Sequence, residues 1–342
     1  MNDPLIMGIV NVTPDSFSDG GAFHTPDEAV SHALRLVEAG ADIIDVGGES
    51  TRPGYTPLDA DDELLRILAV VMALTSRGIC VSVDTRHEET ARVALDAGAT
   101  YINRIFHLYD AQGDIAAIDP GFGYVDTYEE DLALWASLDE LARGEYPLMV
   151  GVSRKRFVGR ISGIADPVDR DEASAQLALA AVLHGASIVR VHNVVLTKHY
   201  LDTFAESPNI IAYIALGSNL GDRDGYLKRA VEHINALPAT SVVAQSRVIE
   251  TAAQYVTEQP DFLNAVIRVQ TKLPLFAFFT ELQAIEVVMG RVKEYDKGPR
   301  TIDLDLLIYG DSTYTTPELT VPHPLMHERD FVMRPLEEVI LS

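Results

Sequence analysis

The stretch ICVSVDTRHEETARVALDAGATYIN, residues 79–103, sets the architecture of the first half of the chain. It opens with an apolar, β-branched run of strand length and passes through a polar cluster at Asp84–Arg86. Residues 88–97 then space apolar side chains at helical intervals, and a second strand-like run follows at 100–103. Strand, polar turn, amphipathic helix and strand together make the repeating unit of a parallel α/β sheet. The alternation continues in both directions. Strand-like runs lie upstream at 6–10 and 42–46 and downstream at 115–118, 148–151 and 187–191. Helix-period segments occupy 28–38, 61–74, 132–141 and 172–183. Only residues 104–114 lie between the fourth and fifth strands, too few for a helical crossover between parallel neighbours. The count is seven strands where a closed parallel barrel has eight.

After residue 205 a short polar stretch containing Pro208 ends this pattern, which places a domain boundary between 206 and 210. The remainder reads as strand 211–216, helix 226–237, long strands 242–250 and 262–270, helix 275–289 and strand 302–309. Connections of hairpin and helix length now mix, the signature of an antiparallel α+β sandwich.

Composition narrows the function. Of 342 residues, 47% are apolar and 23% charged, enough for two separately cored domains. The net charge of −24 is spread over both parts, with 15 basic against 32 acidic residues up to position 205 and 12 against 19 beyond it. Neither part supplies the basic stripe that nucleic acid or an anionic membrane requires, so neither partner is expected. A phosphate can still be held by a few placed cations, helix N-termini or Mg²⁺. The single cysteine, Cys80, sits in an apolar strand and is expected to be a buried structural thiol. With no leader-like N-terminus and no long apolar span, a cytoplasmic location is expected.

Polar clusters follow almost every strand of the first half. In a barrel those strand ends meet at one mouth, so distant residues converge. Any one cluster could be a plain turn or a helix N-cap; their recurrence argues for a site. The residues also carry a resemblance. IMGIVNVTPDSFSDGG (6–21) and IIDVGGESTRPG (43–54), supported by SVDTR, DPGFG, GVSRKRF and VRVH, resemble the signature segments of dihydropteroate synthases. That family joins a dihydropterin methyl pyrophosphate to p-aminobenzoate and releases pyrophosphate. The resemblance implies a TIM-barrel-like domain, here lacking about one βα unit. By the same resemblance Asp84, Asn103, Asp119 and Lys155 hold the pterin, and Asn11 serves Mg²⁺ and diphosphate. Arg190 and His192 form the anion-binding pair and, with Lys155, the catalytic set; Thr51 and Arg52 belong to a loop over the aminobenzoate. Arg154, Arg156 and Arg160 read as a solvated basic patch. Arg104 follows Asn103 where the family usually has aspartate.

In the second half, GRVKEYDKGPRTIDLDLLIYG (290–310) is the informative segment. Asp303 and Asp305 alternate with Ile302, Leu304 and Leu306, which puts both carboxylates on one strand face. Exposed aspartates on an amphipathic strand would give that alternation too. Nearby Arg291, Lys293 and Arg300 make a metal–phosphate site the reading that accounts for both signs of charge. With AYIALGSNLGDR, PDFLNA and VPHPLMHERDFV, this half resembles hydroxymethyl-dihydropterin pyrophosphokinases, which move the β,γ-diphosphate of ATP to the pterin. The resemblance implies a ferredoxin-like sandwich with Mg²⁺ on Asp303 and Asp305. It implies ATP contacts from Arg291, Lys293, Arg300, His323 and Arg329, with Arg291 and Arg300 catalytic. Phe262 and Phe331 would stack on the pterin, and Asn264 would bond its edge. Lys297 stands where the family often has tryptophan.

Two small-molecule transferases in series are therefore expected, with a pyrophosphokinase carrying a non-catalytic pterin-binding module as the alternative. The resemblance also allows a homodimer through the synthase-like half.

Overall fold

The computed structural model describes residues 3–12, 25–49, 58–254, 258–292 and 298–340. Thr51, Arg52, Lys293 and Lys297 fall outside these ranges. The chain divides into two compact units. The first comprises Met1–Asp126, Ser137–Gly159 and Ile164–Thr203; the second comprises Thr127–Ala136, Arg160–Gly163 and Phe204–Ser342.

The first unit is built on an eight-stranded sheet. Its strands are β1 (Leu5–Asn11), β2 (Ile43–Gly47), β3 (Val81–Asp84), β4 (Tyr101–Arg104), β5 (His107–Asp110), β6 (Ile115–Ile118), β7 (Met149–Val150) and β8 (Ile188–Val191). They lie in the order β6-β5-β4-β3-β2-β1-β8-β7, and a parallel bridge from Ile118 to Leu148 brings the two ends of the ribbon together. Helices α1 (Pro26–Glu38), α2 (Ala60–Thr75) and α3 (Glu88–Asp96) connect the early strands. Thr25 starts α1 with a capping box closed by Glu28, and Asp59 caps α2.

The seven strands read from the sequence are all present, and the eighth is β5. It runs antiparallel to both β4 and β6, so β4-β5-β6 is a meander. A reversed strand needs only a turn at each end, whereas a parallel one needs a crossover of a dozen or more residues. The barrel-like sheet thus completes its circuit without the missing βα unit.

Alternation along the strands sorts side chains into two layers of core. Outward residues such as Ile6, Val10, Ile44, Val46, Val81 and Val83 pack against the helices. Inward residues Met7, Ile43, Leu108, Ala117, Met149 and Ile188 fill the barrel floor, with Tyr101 and the half-buried Cys80 packed on them.

The remaining helices are α4 (Tyr128–Ala136), α5 (Leu138–Ala142), α6 (Arg156–Ser162), α7 (Asp171–Leu183) and α8 (Val194–Thr203). The segment 132–141, predicted as one helix, is two: it breaks at Ser137, and α4 belongs to the second unit.

The second unit runs β9 (Ile210–Ser218), α9 (Arg223–Asn235), β10 (Thr240–Gln245), β11 (Ile249–Thr251), β12 (Phe262–Thr271), α10 (Leu275–Val288), β13 (Asp303–Tyr309), β14 (Tyr314–Thr315), β15 (Thr320–Val321) and α11 (Asp330–Ile340). Its main sheet, ordered β10-β12-β9-β13 and antiparallel where strands pair, has the ferredoxin-like arrangement. The strand predicted over 242–250 is interrupted. The Ser246 N–H still donates to the Val266 carbonyl, but the return bond from the Val266 N–H goes to the Ser246 hydroxyl at 3.0 Å, so β10 and β11 pair separately with β12.

Helix α10 explains why α4 joins this unit. Its residues Phe276 to Leu282 and Ala284 to Glu286 are all buried, so the sheet alone cannot cover it. Helix α4 supplies the second cover through Leu132 and Trp135. The Trp135 indole N–H donates to the buried Glu281 carboxylate at 2.8 Å, and the Tyr128 hydroxyl bonds Gln283. Removing the acceptor of the indole bond with Glu281→Ala should destabilise this unit by about 1–3 kcal/mol. Trp135 is the only tryptophan, so its fluorescence follows the unfolding directly; a denaturant midpoint equal to that of the parent would refute this packing.

Candidate functional site

In the first unit the inward-facing layer above the apolar floor is polar. Two residues beyond Ile43, Tyr101 and Ile188 come Asp45, Asn103 and Arg190, carried to the same interior face by the strand period. The Arg190 Nε donates to Asp45 Oδ2 at 2.6 Å and its Nη2 to Asp84 Oδ2 at 2.9 Å. The Asn103 amide donates to Asp45 Oδ2 at 3.1 Å. Parallel register sets Asn11, Gly47, Asp84 and Asn103 in one row across four strands. A Cβ at Gly47 would meet Asn11 Oδ1 and the Asp84 Cβ at 3.6 and 3.7 Å, so glycine keeps this row open.

Loops complete the mouth. Asp119 follows β6, and its Oδ1 accepts the Gly121 N–H at 2.8 Å. Lys155 reaches back to donate to the Phe122 carbonyl at 2.6 Å. His192 follows β8 with Nδ1 at 2.9 Å from the Ser153 hydroxyl. Burial pushes the Asp84 carboxyl up to about 6, helped by Asp45 and Glu63 and opposed by Arg190 and Lys155. The structure therefore gathers Asn11, Asp84, Asn103, Asp119, Lys155, Arg190 and His192 at the C-terminal end of one barrel.

Two findings here differ from the sequence reading. Asp45, not singled out beforehand, is fully buried, and its Oδ1 has no hydrogen-bond partner among the described residues. A buried acceptor of this kind can take a donor from water or from a ligand. Its signal was an aspartate interrupting the apolar run IIDVG. Arg154, read as part of a solvated patch, is instead clamped bidentately by Asp171 at 2.6 and 2.8 Å with only 10% of its side chain exposed. Arg160 lies over the Tyr128 ring. Arg104 points to Glu88 at 2.7 Å, away from the interior network of Asn103.

The second unit holds a cavity of about 230 Å³ lined by Gly217, Phe262, Asn264, Arg291, Arg300, Asp303, Asp305, His323, Arg329 and Phe331. Register places Asn264, Gly217 and Asp303 side by side on β12, β9 and β13, with Asp305 two residues along. Arg291 and Arg300 bracket Asp303, at 2.8 and 3.3 Å, and Arg329 stands 3.9 Å from Asp305. The Arg300 backbone is fixed by Asn219, whose side-chain oxygen accepts its N–H at 2.8 Å. Asn264 donates to Thr251 at 2.9 Å. Arg300 and Arg329 lie over the rings of Phe262 and Phe331, at 5.4 and 5.8 Å.

Burial pushes Asp305 up to about 7, reinforced by Asp303 and resisted by Arg329, Arg300 and Arg291. Burial also lowers His323, with Arg329 adding to the effect. Glu286 on α10 was not anticipated. Burial raises it to about 8 against the pull of Arg291, and its Oε1 accepts the Leu304 N–H at 2.7 Å. It pairs with Arg291 and so ties α10 to the strand that carries both aspartates. An acidic residue inside the apolar run of α10 was its only mark.

Among the described residues no group of three or more His, Cys, Asp or Glu side chains is arranged as a metal cage. Two aspartates on one strand suit Mg²⁺, which takes one or two carboxylates and completes its shell with water and phosphate oxygens. Protein surrounds most of the Asp305 carboxylate, which raises its pKa, yet 39% of the side chain stays exposed and an ion can reach it. Its raised pKa marks negative charge left incompletely compensated. No helix among the described residues is long and apolar enough to cross a membrane.

Comparison with known proteins agrees with this geometry. Residues 213–341 match the family of 7,8-dihydro-6-hydroxymethylpterin-pyrophosphokinases, and residues 7–117 and 109–192 match the pterin binding enzymes. The second match comes in two pieces that meet at the meander. The dihydropteroate synthase of Staphylococcus haemolyticus is 36% identical over 243 residues, covering 57% of this chain and 91% of that protein. That of Mycobacterium leprae is 36% identical, covering 55% and 88%. Among solved structures, Xanthomonas albilineans dihydropteroate synthase with 4-aminobenzoic acid superposes with a TM-score of 0.54 at 35% identity, covering 60% of this chain and 93% of that one. The Yersinia pestis enzyme in a sulfonamide drug complex gives 0.54 at 34%, covering 58% and 92%. The chain belongs to the pterin-binding dihydropteroate synthase family and carries a hydroxymethyl-dihydropterin pyrophosphokinase domain behind it, two transferases of folate biosynthesis.

Proposed function

We propose that residues 210–342 transfer the β,γ-diphosphate of ATP to 6-hydroxymethyl-7,8-dihydropterin, and that residues 1–206 join the product to p-aminobenzoate to form dihydropteroate. The observation that carries the proposal is the same in both pockets: buried and half-buried carboxylates interleaved with arginines beside groups suited to a flat heterocycle. The product of the first reaction is the substrate of the second, which is a chemical reason for one chain to hold both.

In the kinase half, Asp303 and Asp305 would hold Mg²⁺, which supplies charge neutralisation on the nucleotide phosphates. Arg291, Arg300 and Arg329, with His323, face the departing and transferred phosphates. Phe262 and Phe331 offer stacking surfaces, and Asn264 bonds the pterin edge. The hydroxyl of the pterin attacks the β-phosphorus in line and AMP leaves. Side chains position and neutralise; no covalent enzyme intermediate is required.

In the synthase half, Asp119, Asn103, Asp84 and Asp45 offer acceptors and a donor to the amino and ring nitrogens of the pterin. Lys155, Arg190 and His192 lie where negative charge grows on the departing diphosphate, and Asn11 at the head of the row would serve its Mg²⁺. The arylamine nitrogen attacks the methylene carbon as the C–O bond to diphosphate breaks. Closure of the sheet through β5 favours catalysis over a non-catalytic pterin-binding module, because the residues on either side of the shortened segment stay at one mouth. A homodimer through this half is compatible with the reading and would appear as a doubled mass in light scattering.

Purified protein given hydroxymethyl-dihydropterin and MgATP should yield AMP, and added p-aminobenzoate should yield dihydropteroate. Asp303→Ala should lower AMP formation by about 10³-fold or more and spare dihydropteroate formation from supplied pterin pyrophosphate. Lys155→Ala should do the reverse. Equal loss in both assays for either variant would defeat the two-site reading.

A pH test follows from Asp305. Its folded pKa of about 7 exceeds the 3.8 of the exposed group, so the folded protein holds an extra proton between these values. The metal-free fold therefore loses stability as pH rises through that window. A cation needs the ionised form, so stabilisation by Mg²⁺ with a non-hydrolysable ATP analogue should be larger at about pH 8 than at about pH 6. Thermal shifts of equal size at both values would contradict this role for Asp305.

A further inference from the structure

The turn between β4 and β5 consists of Ile105 and Phe106, set by the pair Arg104 and His107. Phe106 has φ of 72°, in the left-handed region that a two-residue hairpin normally gives to glycine or asparagine. A bulky side chain there is held against its own backbone preference, and such positions concentrate at functional sites.

What surrounds the ring shows what it is held for. The Phe106 carbonyl accepts the Asp119 N–H at 2.9 Å, which fixes the turn directly beside the Asp119 pocket. The ring lies over Gly121, where a Cβ would collide with it. It meets the Tyr124 ring edge to face, centroids 6.2 Å apart. Lys155 Nζ stands 5.3 Å from the Tyr124 centroid. Phe106 and Tyr124 nevertheless remain 48% and 46% exposed. Two aromatic rings are thus gathered at considerable backbone cost and left open to solvent at the mouth of the barrel. Core packing does not account for that arrangement, because a core contact would bury them.

We infer that Phe106 is a specificity-determining wall for the aromatic amine in the synthase reaction, a role that rests on the synthase reading above. The buried polar pair Asp45 and Asn103 takes the pterin at depth. The attacking arylamine approaches from the solvent side and meets the half-exposed rim, where an aromatic edge is the complementary surface for an aromatic ring. The reversed strand that completes the sheet is also what delivers this residue, since the turn exists only because β5 runs antiparallel.

Phe106→Gly removes the ring and relieves the left-handed backbone, so the variant folds at least as well as the parent. Its KM for p-aminobenzoate should rise about three- to tenfold, the worth of one aromatic contact. The KM for the pterin pyrophosphate should stay within about twofold, and Phe106→Tyr should restore the parent value. An unchanged KM for p-aminobenzoate, or an equal rise for both substrates, overturns the inference. Calorimetric binding of p-aminobenzoate to the full chain, supplied with pyrophosphate and 6-hydroxymethylpterin, reads the same contact without turnover. Binding that weakens in Phe106→Gly, in a protein that makes no dihydropteroate, supports the wall and removes the synthase reading. Dihydropteroate formation indifferent to the substitution does the opposite. A parent chain that neither binds nor converts the arylamine overturns both.

Discussion

A sheet that returns on itself must supply enough strand widths to complete the circuit, whatever the length of chain available. Everything at the mouth of the first unit depends on that constraint. Between Arg104 and Ile115 there is no room for a strand, a helix and two loops, yet the row Asn11, Gly47, Asp84, Asn103 needs β6 and β7 to meet for Asp119 and Lys155 to face it. Reversing β5 supplies the missing width with two turns. The cost falls on backbone geometry at Phe106, which is a local charge of the kind proteins concentrate near their sites. Registers elsewhere are untouched, so the inward period still delivers Asp45, Asn103 and Arg190 to one layer.

Both pockets then face a common electrostatic problem. Anionic substrates must enter sites that already contain several carboxylates, in a protein of net charge −24. Each pocket meets it by pairing. Arg190 lies between Asp45 and Asp84, and Asp303 lies between Arg291 and Arg300. A guanidinium held by carboxylates keeps a fixed orientation, so little reorganisation is needed when a phosphate arrives. The carboxylates gain as well, since a buried anion without a partner would hold a proton instead. Asp305, whose nearest guanidinium, that of Arg329, stands 3.9 Å away, keeps a raised pKa despite Arg329, Arg300 and Arg291.

How much of this was legible in the sequence follows from which forces act locally. The seven parallel strands announced themselves because β-branched runs and helix-period segments alternate, and Asp303 and Asp305 because polar and apolar residues alternate on one strand. HLYD at 107–110 carries no such period; it is a strand only because the neighbouring edges need one, a long-range requirement with no local mark. Helix α4 showed its helical spacing but not its destination, since its partner α10 lies more than a hundred residues away. Asp45 and Glu286 were hidden for a related reason. Each is an acid set within an apolar element, the only one in β2 and one of two in α10, and only the fold reveals that the element's interior face leads into a pocket. Arg154 was misread because the partner that removes it from solvent, Asp171, sits on another helix.

The interleaving of the units has a consequence for how such a chain can be assembled. The second unit cannot be cut out at the polar stretch 205–209 without exposing α10, because α4 covers the face that the sheet leaves open. Helix α4 in turn begins nine residues after Asp119 and is tethered to the same loop that bonds the Phe106 turn. A loop held at one end by the Asp119 bond to the Phe106 turn and at the other by a helix with a buried indole is restrained from both sides. The short meander and the helix that joins the second unit thus follow one another in a single stretch of chain. Residues 104–136 give up a crossover, complete the sheet with a reversed strand, and spend the helix that follows on covering the second unit.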